Sequence, residues 1–222
     1  MTHTLTLTAI VPVTHDTWHL TFDHPAGFQF EPGQATHWAL DKDGWRDKDR
    51  PFTMTSKPEA DVVEFVIKSY PDHDGVTEQI PHMAPGDKIL AEDPAGAITD
   101  HGPGVFLAAG AGITPFIAIL DKHAREGVTG DRLIFANKTD HDIILRDKWD
   151  TMDGVTPTYV ISGQADTDYI YGKIDKAMLQ DLLNDLNQTF YICGPGGFVD
   201  AMRDALTDLS VSKSQMVIEN GW

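Results

Sequence analysis

Cysteine is almost absent from this chain of 222 residues, in which Cys193 is the only one. A single thiol excludes an intrachain disulfide and a four-cysteine iron–sulfur cluster within the chain. Long apolar runs are missing too: no stretch approaches the ~18 residues that a membrane-spanning helix needs, and the first residues lack the basic start of a targeting segment. We therefore expect a cytoplasmic protein with no membrane partner.

Basic residues are also scarce, since 17 lysines and arginines face 34 aspartates and glutamates and leave a net charge of −17. Such a charge makes nucleic acid and anionic membrane surfaces poor partners. The acidic residues are spread along the chain, which favours a role in solubility, for example in a saline environment, over docking to a basic partner.

The first half of the chain, residues 3–95, has the pattern of β-strands. Apolar and polar residues alternate in "THTLTLTAIV" and "WHLTFDH", and "VVEFVIKSY" is a third strand candidate. Turn clusters such as Glu31-Pro32-Gly33 and Pro85-Gly86-Asp87 separate these runs. Short strands with such punctuation predict an antiparallel barrel or sandwich, and we expect the barrel.

The second half alternates strands with helices, which predicts parallel βαβ units with helices on both faces of a sheet. Strands are expected over 105–109, 132–136, 158–162, 189–193 and 215–219, and helices over 115–126, 145–152, 175–185 and 197–209. The Gly/Pro-rich segment 96–104 is the expected boundary between a domain at 1–99 and a domain at 100–222. The predicted fold is therefore a β-barrel followed by an α/β domain.

Two stretches of the first half contain residues suited to a phosphate-bearing, flat ligand. In "DRPFTMTS", Arg50 offers a planar fork of donors, Pro51 restricts the backbone, Phe52 offers a ring, and Thr53 a hydroxyl. Alone, this is more typical of a strand with an exposed charge.

The second stretch runs from "VIKSY" to "DGVTEQI". The backbone of Val66 and Ile67 can flank a ring system, with Lys68 near phosphates, and Gly75-Val76-Thr77 can open a helix whose free amides suit a pyrophosphate. A plain loop and helix start explains Gly75-Val76-Thr77 equally well.

The second half has two glycine motifs, each directly after a predicted strand. "GVFLAAGAGITPF" places Gly110 and Gly112 where a dinucleotide loop begins, but Pro115 stands at the third glycine of the usual fingerprint. A damaged dinucleotide loop, an ordinary turn and a different nucleotide site all fit so far. In "YICGPGGFVDAM", Cys193 ends a strand at the edge where ligands of such folds bind, before Gly194 and Pro195.

In this order, the motifs resemble the ferredoxin–NADP⁺ reductase-like flavoenzymes. The family motif Arg-x-Tyr-Ser/Thr corresponds to Arg50–Thr53, Gly-x-Gly-x-x-Pro to Gly110–Pro115, and Cys-Gly-Pro to Cys193–Pro195. The resemblance covers essentially the whole chain and implies an FAD-binding barrel, a Rossmann-like nicotinamide-binding domain, and an NAD(P)H-dependent flavin oxidoreductase. Proline is the family norm at the third loop position, so the loop is intact; we expect Thr114 to cap the following helix and Pro115 to suit its first turn.

The resemblance also implies the residues near the reacting atoms. Hydride would pass from nicotinamide C4 to flavin N5, with Thr53 near N5, Cys193 against the nicotinamide, and Glu219 helping with protons and positioning. The terminal Trp222 would cover the flavin and move aside for the nicotinamide. Phe52 departs from the family's tyrosine and lacks the hydroxyl that relatives can use on the flavin ribityl chain.

The chain is short for the family, and we expect no added ferredoxin or haem domain. We therefore expect a monomer in electron transport, passing electrons to a separate acceptor: a ferredoxin, a flavodoxin, a haem protein or a small molecule. We expect FAD rather than FMN, because the loop at Gly75 is suited to a second phosphate beyond the one near Arg50.

The choice between NADH and NADPH depends on residues near the adenosine ribose. "FANKTDHDIILRDKW" resembles NADH-using nitrate-reductase-type domains and contains Asn137 and Lys138, whereas Ser162 stands where those enzymes tend to carry aspartate. NADP-using relatives often have arginine after that serine, and this chain has Gly163. We expect NADH, while Lys138 and Ser162 keep a 2′-phosphate site open.

Two other functions fit the sequence less well. Metal binding is disfavoured, because His15 and His19 have no third ligand nearby and the loop at Asp72–Gly75 lacks the remaining ligands of a calcium site. A non-catalytic flavin- or nucleotide-binding regulatory module is the alternative to the enzyme, and the cysteine motif and terminal tryptophan argue against it.

Overall fold

A computed structural model describes residues 1–73 and 75–219 of the chain. Its strands form two six-stranded sheets, one from each half of the sequence. Within these residues, no helix has the length and apolar character that crossing a bilayer requires.

The sheet of the first half is an antiparallel barrel that is nearly closed. Its strand order is β4-β3-β6-β1-β2-β5, and an antiparallel bridge between Met54 and Phe65 brings the two edge strands together. The predicted antiparallel barrel is confirmed. The strands are β1 (His3–Pro12), β2 (Thr17–Asp23), β3 (Ala35–Leu40), β4 (Arg50–Thr53), β5 (Val62–Lys68) and β6 (Lys88–Ala91).

The barrel interior is filled by the apolar residues of the alternating strands, as the period of two requires. Leu20 and Phe22 of β2 are fully buried, and the Phe22 ring lies edge-on to Phe65, 5.8 Å between centroids. Trp38 lies at the centre of this aromatic group. Burial of such rings is what specifies which face of each strand turns inward.

One short helical segment follows β5. The helix α1 (Val76–Gln79) has four residues and runs into a single 3₁₀ turn over Ile80–His82. Val76 and Ile80 are completely buried and fasten the segment to the barrel core.

The second half forms a parallel sheet with strand order β10-β9-β8-β7-β11-β12 and helices on both faces, which confirms the predicted α/β architecture. The strands are β7 (Gly104–Ala109), β8 (Asp131–Asn137), β9 (Val155–Ile161), β10 (Ile170–Tyr171), β11 (Thr189–Cys193) and β12 (Met216–Ile218). The helices are α2 (Thr114–Glu126), α3 (Arg146–Thr151), α4 (Lys176–Leu182) and α5 (Gly196–Asp208). The edge strand β10 was not predicted, because two exposed residues carry no periodic pattern.

The segment that joins the two sheets is held by both. Ala95 pairs with Ala35 at the start of β3, and the backbone carbonyl of Ile98 would lie 2.4 Å from a Cβ on Gly33. Ile98 itself is buried among residues of the α/β core. The proposed boundary between residues 99 and 100 stays a prediction.

A buried histidine crosses the amino-terminal end of the parallel sheet. His123 of α2 is 2% exposed; its Nδ1 lies 2.7 Å from the Asp131 carboxylate and its Nε2 lies 2.9 Å from Asp100. These carboxylates, Asp131 first, raise the pKa of His123 against the opposing effect of burial. The imidazole thus ties α2, β8 and the joining segment together.

Candidate functional site

The two stretches of the barrel predicted to hold phosphates lie next to each other. A guanidinium nitrogen of Arg50 would be 3.9 Å from a Cβ on Gly75, so no side chain separates the guanidinium from the loop backbone. Gly75 is extended and immediately precedes α1, which leaves the amides of Val76 and Thr77 at the start of that helix. Arg50 donates one bond to the Asp49 carbonyl and is otherwise exposed.

The helix expected at Gly75 is too short to bind a pyrophosphate through its dipole. Only Val76–Gln79 is α-helical, so the helix dipole contributes little, and loop amides and the Arg50 guanidinium are the groups that remain for a pyrophosphate.

Pro51, Phe52 and Thr53 lie along β4, which pairs with β3. The Phe52 ring is half-buried and lies 4.4 Å from the Trp38 ring, so it already has one aromatic partner inside the barrel. Thr53 pairs with Ala35, the residue that in turn bridges to Ala95 of the joining segment. Thr53 therefore lies beside the junction of the two units.

The three predicted residues of β5 have different surroundings. Ile67 packs in the barrel core. Val66 instead packs with the core residues of the α/β unit, so it forms a contact between the barrel and that unit. The Lys68 ammonium lies 2.7 Å from Asp16 and 3.4 Å from Asp142 of the α/β unit. The ammonium of Lys68 is thus paired with two carboxylates, and the expectation that it lies near phosphates stays a prediction.

These carboxylates also bear on metal binding. Ligand atoms of His15, Asp16 and Asp142 lie within 4.8 Å of one another. A metal there would compete with the Lys68 ammonium, which already pairs with both carboxylates. His19 pairs with Glu64 instead. That this chain holds no metal stays a prediction.

The glycine loop after β7 packs directly on the cysteine motif after β11. Gly110–Ile113 forms a 3₁₀ turn that continues into α2. A Cβ on Gly112 would lie 2.3 Å from the Cys193 carbonyl oxygen and 2.6 Å from the Gly194 Cα. Gly112 is therefore required by backbone contact between the motifs, and Gly110, at φ +52 with open space around it, by its backbone conformation.

The role expected of Thr114 is wrong. Its hydroxyl donates to the Ala111 carbonyl at 3.0 Å, and the N-cap position belongs to Ile113, with no side-chain cap. The preceding 3₁₀ turn leaves Thr114 already helical, so its oxygen cannot reach forward to an amide. Pro115 does lie in the first turn of α2, as expected.

Cys193 ends β11 at the carboxyl edge of the sheet. Burial, and then the negative charge of Glu219, raise the pKa of the Cys193 thiol to about 12, while the amide of Gly194 opposes the shift. Gly194 is pressed between Ala109 and Phe198, and Pro195 precedes α5. Cys193 is therefore a neutral thiol suited to packing against a ligand and not a thiolate nucleophile.

Asn137, Lys138 and Ser162 meet at the same edge, where β8 and β9 end. The amide of Ser162 donates to the Asn137 carbonyl at 3.0 Å. The Asn137 side chain is 6% exposed, and neither its oxygen nor its nitrogen has a hydrogen-bond partner. The Lys138 stem lies across Gly163, where a Cβ would be 2.8 Å from the lysine Cγ. An unpaired buried amide costs free energy, so Asn137 fits a polar ligand.

Glu219 follows β12 and turns toward the joining segment. One carboxylate oxygen accepts the N–H of Ala97 at 2.6 Å and that of Ile98 at 3.3 Å. Trp222 lies outside the residues that the structure describes, so its place over a flavin stays a prediction.

Sequence reasoning missed two features of this region. Thr55 is 5% exposed and its hydroxyl has no hydrogen-bond partner, whereas the hydroxyl oxygen of the neighbouring Ser56 accepts a hydrogen bond from the Glu64 amide. The hydroxyl pattern of "TMTS" was visible, but which hydroxyl is occupied depends on the strand partner. The bonds from the joining segment to Glu219 had no sequence signal.

Residues 106–204 match the family described as Oxidoreductase NAD-binding domain. The chain is 31% identical over 163 residues to NADH-cytochrome b5 reductase 2 of Mycosarcoma maydis. The aligned stretch covers 66% of this chain and 46% of that protein. It is 25% identical to the ferredoxin reductase component of the 3-ketosteroid-9-alpha-monooxygenase of Rhodococcus rhodochrous, over 97% of this chain and 64% of the relative. The chain is thus similar to cytochrome b5 reductases and to ferredoxin reductase components, and its residues 106–204 match an oxidoreductase NAD-binding domain.

The fold of such a reductase is matched along the chain. A ferredoxin NADP⁺ reductase from Neisseria gonorrhoeae, solved with bound FAD and NADP, superposes with a TM-score of 0.85 at 20% identity and covers 100% of this chain and 99% of its own. The chain spans about half to two thirds of the length of the two relatives named above.

Proposed function

We propose that this chain is an NAD(P)H-dependent flavin oxidoreductase that binds FAD and passes electrons to a separate acceptor. The observation that carries the proposal is the contact of the Gly112 backbone with Cys193, beside Glu219 at the same sheet edge. The dinucleotide loop and the thiol of the family's reacting cluster thus form one surface.

The chain's residues would act by binding and orientation. Arg50 and the loop amides at Gly75 would hold the flavin pyrophosphate, and the turn at Gly110–Ile113 would receive that of the nicotinamide dinucleotide. The bound flavin and nicotinamide supply the hydride chemistry. The neutral thiol of Cys193 would pack on the nicotinamide and help to exclude water.

The orphaned polar groups fit such ligands. Thr55 and Asn137 each present buried polar atoms without a protein partner, and leaving such a group unpaired costs about 1–3 kcal/mol. Thr55 lies two residues beyond Thr53 on the flavin side, and Asn137 ends β8 on the nicotinamide side. Bound cofactors would satisfy both.

The acceptor is proposed from the relatives, which are named as reductases of cytochrome b5 and as a ferredoxin reductase component. We propose a one-electron acceptor protein, a ferredoxin or flavodoxin first. Such acceptors are usually acidic, and the net charge of −17 predicts that their reduction becomes faster as salt is added.

We also propose a monomer located in the cytoplasm, to be tested by light scattering and by cell fractionation.

The deciding experiment is anaerobic. Protein reconstituted with flavin should be yellow and should bleach when NADH or NADPH is added under nitrogen. Boiling should release one flavin per chain that elutes with FAD. Release of FMN alone would contradict the FAD assignment, and a coloured protein that neither nucleotide bleaches would identify a non-catalytic binding module.

A further inference from the structure

Glu219 holds the segment that joins the two units by its backbone. A single oxygen, Oε2, accepts hydrogen bonds from the amides of Ala97 and Ile98, which lie 122 and 121 positions earlier in the chain. Bonds to an ionised acceptor are roughly twice as strong as neutral ones. The bonded amides lie directly after Gly96.

The approach of the carboxylate depends on that glycine. Gly96 has φ +133, a conformation that other residues rarely adopt, and a Cβ there would lie 3.1 Å from Glu219 Oε2. The backbone is therefore shaped to admit the carboxylate.

The joining segment is attached to the barrel on the other side. Ala95 exchanges two backbone bonds of 2.8 Å with Ala35, and Ala35 pairs with Thr53 in the next strand. The position of Thr53 is thus linked through two backbone pairings to the segment that Glu219 holds.

Glu219 is equally close to the predicted nicotinamide side. Ile218 pairs with Ile192 in the parallel register of β12 and β11, so Glu219 and Cys193 are the next residues at the same edge. Backbone pairings link Thr53 to Ala35 and Ala35 to Ala95, the chain continues from Ala95 to the amides that Glu219 binds, and the register of β12 and β11 places Cys193 at the same edge.

We propose that Glu219 is a positioning residue that fixes the spacing between the barrel edge at Thr53 and the sheet edge at Cys193. Its task is to accept hydrogen bonds from two amide N–H groups, and no proton transfer is needed for this. The consequence for hydride transfer rests on the proposed function, whereas the consequence for the joining segment does not.

Three substitutions separate positioning from proton transfer. Glu219→Gln keeps an oxygen that can accept both amides but removes the charge and the titratable group. Glu219→Asp keeps the titratable group but withdraws it by one methylene, and Glu219→Ala removes both. Glu59→Ala, an exposed glutamate on the barrel, is the matched control.

The first measurement needs no cofactor: hydrogen exchange of the Ala97 and Ile98 amides. We expect protection to fall by about ten-fold or more in the Ala and Asp variants, to return in the Gln variant, and to be unchanged in Glu59→Ala. Wild-type protection in the Ala variant, or in the Asp variant should the Ala variant not fold, would overturn the proposal.

The second measurement is the rate of flavin reduction in stopped flow. The Gln variant should recover to within about three-fold of the wild type, while the Ala and Asp variants stay slow. A fast Asp variant beside a slow Gln variant would assign Glu219 to proton transfer and overturn positioning. A wild type that reduces no flavin would refute the proposed function, and the exchange result would then stand alone.

Discussion

Substitution of Gly112 by alanine adds one methyl group at the contact between the loop after β7 and the end of β11, and we expect it to push the two apart. A Cβ there would lie 2.3 Å from the Cys193 carbonyl oxygen, 2.5 Å from its carbonyl carbon and 2.6 Å from the Gly194 Cα. All three atoms are backbone, so none can rotate away. Gly112→Ala must therefore move the loop after β7 away from the end of β11.

The size of the effect follows from that overlap. Ordinary Cβ contacts begin at 3.4 Å, so a contact of 2.3 Å requires a displacement of about 1 Å. Overpacking of this kind typically costs about 1–3 kcal/mol of unfolding free energy. A misplacement of about 1 Å between reacting groups costs on the order of 100-fold in rate. We expect both losses in Gly112→Ala.

Urea unfolding and anaerobic stopped-flow reduction by NADH measure the two losses. Gly196→Ala is the stability control, because a Cβ at Gly196, in the first turn of α5, has no atom within 4 Å and alanine favours the helix. Its unfolding free energy should be unchanged or raised. Wild-type stability and a wild-type reduction rate in Gly112→Ala would refute the contact between the two motifs and, with it, the single surface on which the proposed function depends.

Three further predictions concern other parts of the molecule. Cys193→Ala should slow flavin reduction in stopped flow far more than it weakens flavin binding, because the thiol lies at the sheet edge where we propose that the nicotinamide binds; an unchanged rate in a folded variant would remove it from the mechanism. NADH should be the better donor, and a kcat/KM for NADPH ten-fold higher, about 1.4 kcal/mol, would instead indicate that Ser162 and Lys138 form a phosphate site. The pKa of His123 is raised in the folded state, chiefly by Asp131, so its contribution to stability is complete below about pH 6.5 and is lost as the pH rises through the raised value. Urea unfolding from pH 6 to 9 should show this decline in the wild type but not in His123→Gln, and equal slopes would contradict it.

Much of the fold could be predicted because its cause is local. The alternation in "WHLTFDH" predicts a strand, and the structure has β2 there. The apolar run 105–109 predicts a buried strand, and the structure has β7 there. Turn glycines and prolines marked where elements end. Order and type of the elements then imply the barrel and the parallel sheet, since short antiparallel strands and βαβ units have few ways to bury their apolar faces.

The site motifs were recognisable for the same reason, but their contacts were not. The sequence determined that Gly110, Gly112 and Cys193 follow strands and that Arg50 lies near Thr53. Only the tertiary structure decided that Gly112 touches the Cys193 backbone and that Lys68 pairs with Asp142, 74 residues away in sequence. It alone also decided that Glu219 accepts hydrogen bonds from amides 122 and 121 residues earlier in the chain. Partners so distant in sequence are chosen by how the two sheets pack, whereas periodicity reports only on each strand or helix by itself.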